Sequence, residues 1–160
     1  GKFYEWEART TALPMLTTPS RAHFARSRET LAALASEAFN PREEVYLPEE
    51  ARGVVAESFS GRTRVVAAQF RPHQACAAVE SEQGALLVWN QTYYPHWHAY
   101  VDGKEVQIWR ANHAFQAVVI PAGRHEVEWR YVDRAFRKGC VVSVLTLFAS
   151  AAALMARRPR

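Results

Sequence analysis

Residues 96–109 read HWHAYVDGKEVQIW. Asp102-Gly103, in the middle, is a strong signal for a two-residue hairpin, because a type I′ turn needs positive φ at both central positions. Folding about it pairs Val101 with Lys104, Ala99 with Val106 and Trp97 with Ile108. The last two pairs are apolar and share one face, while Tyr100–Glu105 and His98–Gln107 share the other. Register and side-chain pattern agree, which defines an antiparallel ribbon with one buried face.

Outward from this ribbon the period of two persists. Ala114–Ile120, the connection Pro121-Ala122-Gly123 and Arg124–Val132 predict a second hairpin, with Val127, Trp129 and Tyr131 alternating against Glu126, Glu128 and Arg130. Upstream, Thr63–Phe70, Gln74–Val79 and Ala85–Thr92 are short apolar runs separated by turn residues. Short strands at this spacing predict an antiparallel β-sandwich. Ahead of them, Ser27 as N-cap, Glu29 in the first turn and Leu31, Leu34, Ala35, Ala38 and Phe39 at helical spacing predict a helix that Asn40-Pro41 ends. Glu44–Leu47 reads as a short strand closed by Pro48.

The chain has 160 residues and a formal charge of +4. Its 49% hydrophobic and 22% charged residues exclude a disordered chain. All 16 acidic residues lie in 1–133 with 14 basic ones, so that region carries −2. The other six, Arg134, Arg137, Lys138, Arg157, Arg158 and Arg160, flank Gly139–Ala156, which is 18 residues without a charge. A helix of that length spans roughly 27 Å, close to the hydrocarbon thickness of a bilayer, so a transmembrane helix is expected there. The basic pI then reflects an anchor, and no nucleic acid is expected as partner. No charged-then-apolar leader follows Gly1, which leaves a fragment of a longer protein or a tail-anchored β-sandwich protein as the two expectations. The fold class expected is mainly β: an antiparallel β-sandwich with a short N-terminal helix and a C-terminal transmembrane helix. Its parts are a strand/helix segment packing on the sandwich (1–52), the sandwich (53–136), and the transmembrane helix with a short basic tail (137–160).

Taken together, certain residues resemble the C-terminal region of YfhO-type bacterial multi-spanning membrane proteins. They are Tyr93-Tyr94-Pro95 with Trp97, Val101-Asp102-Gly103, Asn112 with Ala114-Phe115, Pro121-Ala122-Gly123, His125, Val127, Tyr131, Phe136 and Gly139. Ala12-Leu13-Pro14 and the Leu31–Phe39 helix with Asn40-Pro41 extend the likeness upstream. The chain departs from the pattern at His96, where a small residue is usual, and at Thr11 and Met15. The resemblance implies a parent with a glycosyltransferase C-like core that moves lipid-linked sugars onto envelope polymers or glycolipids. It also implies an extracytoplasmic sandwich and a cytoplasmic C-terminus. The catalytic acid of such a core is expected elsewhere in the parent, so no catalytic residue is expected here.

The partners implied are the lipid bilayer, the remaining transmembrane part of the parent, and an envelope glycan or lipid-linked sugar. Tyr93, Tyr94 and Trp97, with Asp102, Arg110 and Asn112 as polar contacts, are the candidate glycan-binding residues, against a plain packing role for the aromatics. The other class of function is a structural or interaction module bracing neighbouring spans. No cofactor and no metal are expected. His96 and His98 at i, i+2 with His113 or His125 is the one arrangement with zinc-like character, and surface histidines are the simpler reading. Cys76 and Cys140 are expected as free thiols.

Overall fold

The structure is a computed structural model that describes residues 12–156. Eleven strands and two helices follow in the order β1 (Leu16–Thr17), β2 (Arg21–Phe24), α1 (Ser27–Leu34), β3 (Glu44–Leu47), β4 (Thr63–Arg71), β5 (Gln74–Ser81), β6 (Ala85–Trp89), β7 (Trp97–Val101), β8 (Lys104–Val106), β9 (Trp109–Ala111), β10 (Phe115–Ile120), β11 (Gly123–Tyr131) and α2 (Arg134–Ala156). Two antiparallel sheets, ordered β1-β6-β10-β9 and β4-β5-β11-β7-β8, face each other. Their shared core holds Leu87, Trp89, Val118 and Ile120 from the first sheet against Val79, Ala99, Val101, Val127 and Trp129 from the second.

The hairpin about Asp102-Gly103 forms with the expected register, Ala99 opposite Val106 and Val101 opposite Lys104. Asp102 at φ 50° and Gly103 at φ 78° supply the two left-handed positions. The ribbon stops at Val106, so Trp97 does not reach Ile108; it pairs with Tyr131 on its other side. The second predicted hairpin is corrected: both strands form, but β10 pairs with β6 and β9 while β11 pairs with β5 and β7, so Pro121-Ala122 carries the chain from one sheet to the other.

A third layer lies outside the first sheet. The parallel pair β2–β3 and the short 3₁₀ turn Glu49–Ala51 bury Ala22, Val45, Leu47 and Ala51 against Leu86, Val88 and Ala117. This explains the uninterrupted apolar sequence of β6, Ala-Leu-Leu-Val-Trp: both of its faces are covered, and all five residues are buried. A strand with one wet face would alternate, as β5 and β7 do.

Two expectations about helices are corrected. α1 ends at Leu34, before the predicted Phe39, and its first flanking residue is Arg26, whose backbone N–H donates to Glu29 Oε2 at 3.2 Å. Its buried residue is Thr30, while Leu31 is 49% exposed, so the predicted apolar face is not the face that packs. The second correction concerns the C-terminal span. α2 forms, but among the described residues no helix is long and apolar enough to cross a membrane. Gly139, Ser143, Thr146, Ser150 and the alanines at 149 and 151–153 dilute the Val, Leu and Phe residues between them. Thr146 turns its hydroxyl back onto the Val142 carbonyl at 2.9 Å. The transmembrane helix is therefore not part of this fold. Asp133 caps α2, accepting the Phe136 N–H at 2.8 Å. Thr11 and the basic tail residues Arg157, Arg158 and Arg160 lie outside the described residues.

Candidate functional site

The two ends of the sandwich differ in chemistry. At the end where β11 leads into α2, aromatic rings form a continuous cluster. Trp89 meets Trp97 edge-on at 4.9 Å between centroids and Trp129 at 5.2 Å. Trp97 meets Tyr131 at 5.4 Å, and Tyr131 stacks with Tyr94 at 6.3 Å. His96 and His73 flank the same Tyr131 ring at 5.9 Å and 6.0 Å. Phe70 stacks on Trp89 at 6.2 Å. The backbone holds the arrangement: Tyr131 N–H donates to the His73 carbonyl at 2.9 Å and Val132 N–H to the His96 carbonyl at 2.8 Å.

The cluster runs from a dry interior to an exposed rim. Trp129 is fully buried, whereas Phe70 is 42% and Tyr94 52% exposed. Exposed Leu13 and Met15 lie at the same end, in the segment leading into β1, where Asn90 donates to the carbonyls of Met15 (from its backbone, 2.8 Å) and Pro14 (from Nδ2, 2.7 Å). Phe136, at the start of α2, is also exposed. Burial pushes the Tyr131 phenol above its ordinary pKa, with Asp133 adding to the effect.

The six residues singled out from sequence do not converge. Tyr94 belongs to the exposed rim, and Trp97 to the core beneath it. Tyr93 is half-buried, with the Arg110 guanidinium over its ring at 4.9 Å. Such a contact contributes about 0.5–1 kcal/mol at an exposed site. Asn112, at φ 46°, works as a splint: its Oδ1 accepts the Tyr46 N–H and its own N–H donates to the Tyr46 carbonyl, both at 2.8 Å. It thereby ties the β9–β10 turn to β3. Replacing Asn112 with Ala should cost about 1–3 kcal/mol, since it leaves a strand N–H unpaired and puts an alanine in a left-handed position. Chemical unfolding measures this, and Asn112→Asp, which keeps the acceptor, should recover most of the loss.

Asp102 lies at the opposite end. Its Oδ2 meets His125 Nδ1 at 2.5 Å and its Oδ1 accepts the Glu126 N–H at 2.9 Å. Of the four histidines weighed as zinc ligands, three have separate partners: His98 is bonded to Glu105 at 2.7 Å, His125 to Asp102, and His96 packs on Tyr131, while His113 stands in the β9–β10 turn. Among the described residues no group of three or more His, Cys, Asp or Glu side chains is set to hold a metal. Cys76 and Cys140 are free, and burial raises the Cys76 thiol.

The sequence reading missed Phe70, His73 and Tyr131 as members of the aromatic end. Tyr131 stood in the predicted strand pattern, but the convergence of all three depends on pairings between β4, β5, β11 and β7 that no local signal encodes.

The fold and its end chemistry define the class: a two-sheet antiparallel β-sandwich with a helix leaving from an aromatic, partly exposed end. Residues 61–143, just over half of the chain, match the family described as Bacterial membrane protein YfhO, and the chain belongs to that family. Comparison with curated proteins and with solved structures returned no match.

Proposed function

We propose that this chain is an accessory, non-catalytic module of a bacterial membrane protein, held outside the cytoplasm, whose aromatic end faces the membrane side and positions an envelope glycan. The carrying observation is the concentration of exposed Leu13, Met15, Phe70, Tyr94 and Phe136 around the start of α2. Tyr and Trp side chains with one apolar and one polar end suit the headgroup region of a bilayer. The same rim offers a sugar ring a pre-set surface: Tyr94 is open on one side and backed by Tyr131 on the other. The glycan comes from the likeness to proteins with a glycosyltransferase C-like core, and the role narrows the six sequence candidates to Tyr94, with Tyr93 and Arg110 as neighbours on the chain and across the β9 edge.

NMR titration of the full chain with envelope oligosaccharides tests this. Tyr94 and Tyr131 resonances should move together, and Tyr94→Ala should weaken binding at least about tenfold, equivalent to roughly 1.4 kcal/mol. Tyr94→Phe should keep most of the affinity. Resonances that stay flat against every glycan would sink the glycan part of the reading.

A specific observation favours a second reading, a module that braces neighbouring parts of the parent. Trp97, Asn112 and Asp102 are all committed to internal contacts. Under this reading Tyr94→Ala lowers stability and leaves glycan affinity unchanged.

A further inference from the structure

The end of the sandwich away from α2 carries a feature that neither reading uses. β11 runs nine residues from Gly123 to Tyr131, roughly 26–30 Å at the usual strand rise, so the Asp102–His125 contact is remote from the aromatic end. His125 points inward along β11, on the same face as the buried Val127 and Trp129. Both of its ring nitrogens face acceptors. Nδ1 lies 2.5 Å from Asp102 Oδ2, and Nε2 lies 3.1 Å from the Ala122 carbonyl. A neutral imidazole has one N–H and one lone pair, so it satisfies only one of these contacts and turns its lone pair on the other oxygen. The imidazolium, with two N–H donors, satisfies both.

We infer that His125 is held as the imidazolium and that, with Asp102, it forms a pH-sensitive latch fastening the Asp102-Gly103 hairpin tip to the β10–β11 turn. The latch is reinforced by two backbone-level bonds: Asp102 N–H donates to the Glu126 carbonyl at 2.9 Å, and Glu126 N–H donates to Asp102 Oδ1 at 2.9 Å. Asp102 reaches both contacts from the turn itself, at a left-handed φ of 50° that Asp tolerates.

The charged surroundings are simple. Asp102 is the carboxylate in contact with the ring, Lys104 on β8 acts on Asp102, and Glu126, the next residue on β11, meets Asp102 through its backbone while its side chain alternates to the other face of the strand. On the neighbouring strands, β5 places Val79 opposite His125, and β4 places Val65 opposite Val79. The next rung is the hydroxyl pair Thr63–Ser81. The Asp102 hydrogen bond, then the Ala122 carbonyl, hold the His125 ring above its ordinary pKa, and the His125 hydrogen bond holds the Asp102 carboxyl below its own.

The sign follows from those directions. The His125 contribution is whole below the ordinary imidazole value of about 6.5 and fails as pH rises through the raised folded value. The Asp102 contribution is whole above the ordinary carboxylate value and fails as pH falls through the depressed one. The latch therefore holds across a window reaching beyond both ordinary values and opens on its alkaline side when the ring loses its proton.

The test is an NMR titration of the full chain from pH 5 to 9, reading the imidazole nitrogens of His125 together with hydrogen-exchange protection of the Asp102 and Glu126 amides. Both ring nitrogens should carry protons at pH 6.5, with the ring midpoint above the ordinary value. Protection at the two amides should fall at least about fivefold in step with that titration, as a local opening does. Asp102→Asn, which tolerates the left-handed turn, should bring the midpoint down and flatten the pH dependence of protection. A single neutral tautomer at pH 6.5, a midpoint at or below the ordinary value, or pH-independent protection in the unmodified chain each overturns the latch. So does an unchanged His125 midpoint in Asp102→Asn. The unmodified chain decides the matter alone where that variant does not fold.

Discussion

Trp129→Ala is expected to remove about 3–5 kcal/mol of stability, the range for deleting a large aromatic from a packed core. Domains of this size are stable by about 5–15 kcal/mol, so this one substitution brings the chain near its unfolding limit. Trp129 is fully buried at the centre of the second sheet. Its strand neighbours are Ala75 on β5 and Ala99 on β7, and its ring meets Trp89 of the facing sheet. Alanines on both sides cannot swing into the space, so the cavity stays open and the cost falls at the upper end. Trp129→Phe should cost under about 2 kcal/mol, because it keeps most of the apolar volume and the indole N–H it discards has no hydrogen-bond partner. Urea unfolding measures both. A Trp129→Ala loss below about 1 kcal/mol would mean that the two sheets do not share this core.

The parts of the fold read correctly from sequence were those in which local signals agreed. Asp102-Gly103 fixed a turn and the apolar residues on either side fixed its register, and the pair Ala99–Val106 forms as read. β6 shows the opposite case. Its unbroken apolar run marked a strand but left open what covered its second face, and the answer is a pair of strands more than thirty residues earlier. For α1 the helical spacing of Leu31 and Leu34 marks a helix but not the residue that packs, since tertiary contacts bury Thr30 and end the helix at Leu34. The uncharged run after Lys138 suggested a span by its length, and its glycine, serines, threonine and alanines weigh against that. At the candidate site the aromatics were visible as residue types, yet their division into a buried floor and an exposed rim depends on pairings across four strands. Asp102 and Asn112 looked like polar ligand contacts, and both have local partners: a turn residue with a carboxylate or carboxamide often bonds to nearby backbone.

Leu47→Ala is the companion test, aimed at the third layer, and should cost about 2–5 kcal/mol. Leu47 is 1% exposed on β3 and belongs to the second core with Ala22, Val45, Leu86 and Val88. The informative quantity is the shape of the transition. β6 belongs to both cores at once, turning Leu87 and Trp89 to the second sheet and Leu86 and Val88 to β2–β3. Peeling the N-terminal layer away therefore exposes a strand at the centre of the sandwich, and the Asn112 splint would have to break as well. Loss at Leu47 should then lower the unfolding midpoint of the whole domain and leave the slope m unchanged, since the surface exposed on unfolding is the same. An early, separate transition in Leu47→Ala, with the aromatic signal of Trp129 still native, would instead make the layer of β2, α1 and β3 an independent appendage. In a single cooperative body the aromatic end and the N-terminal layer stand or fall together, because β6 belongs to both cores.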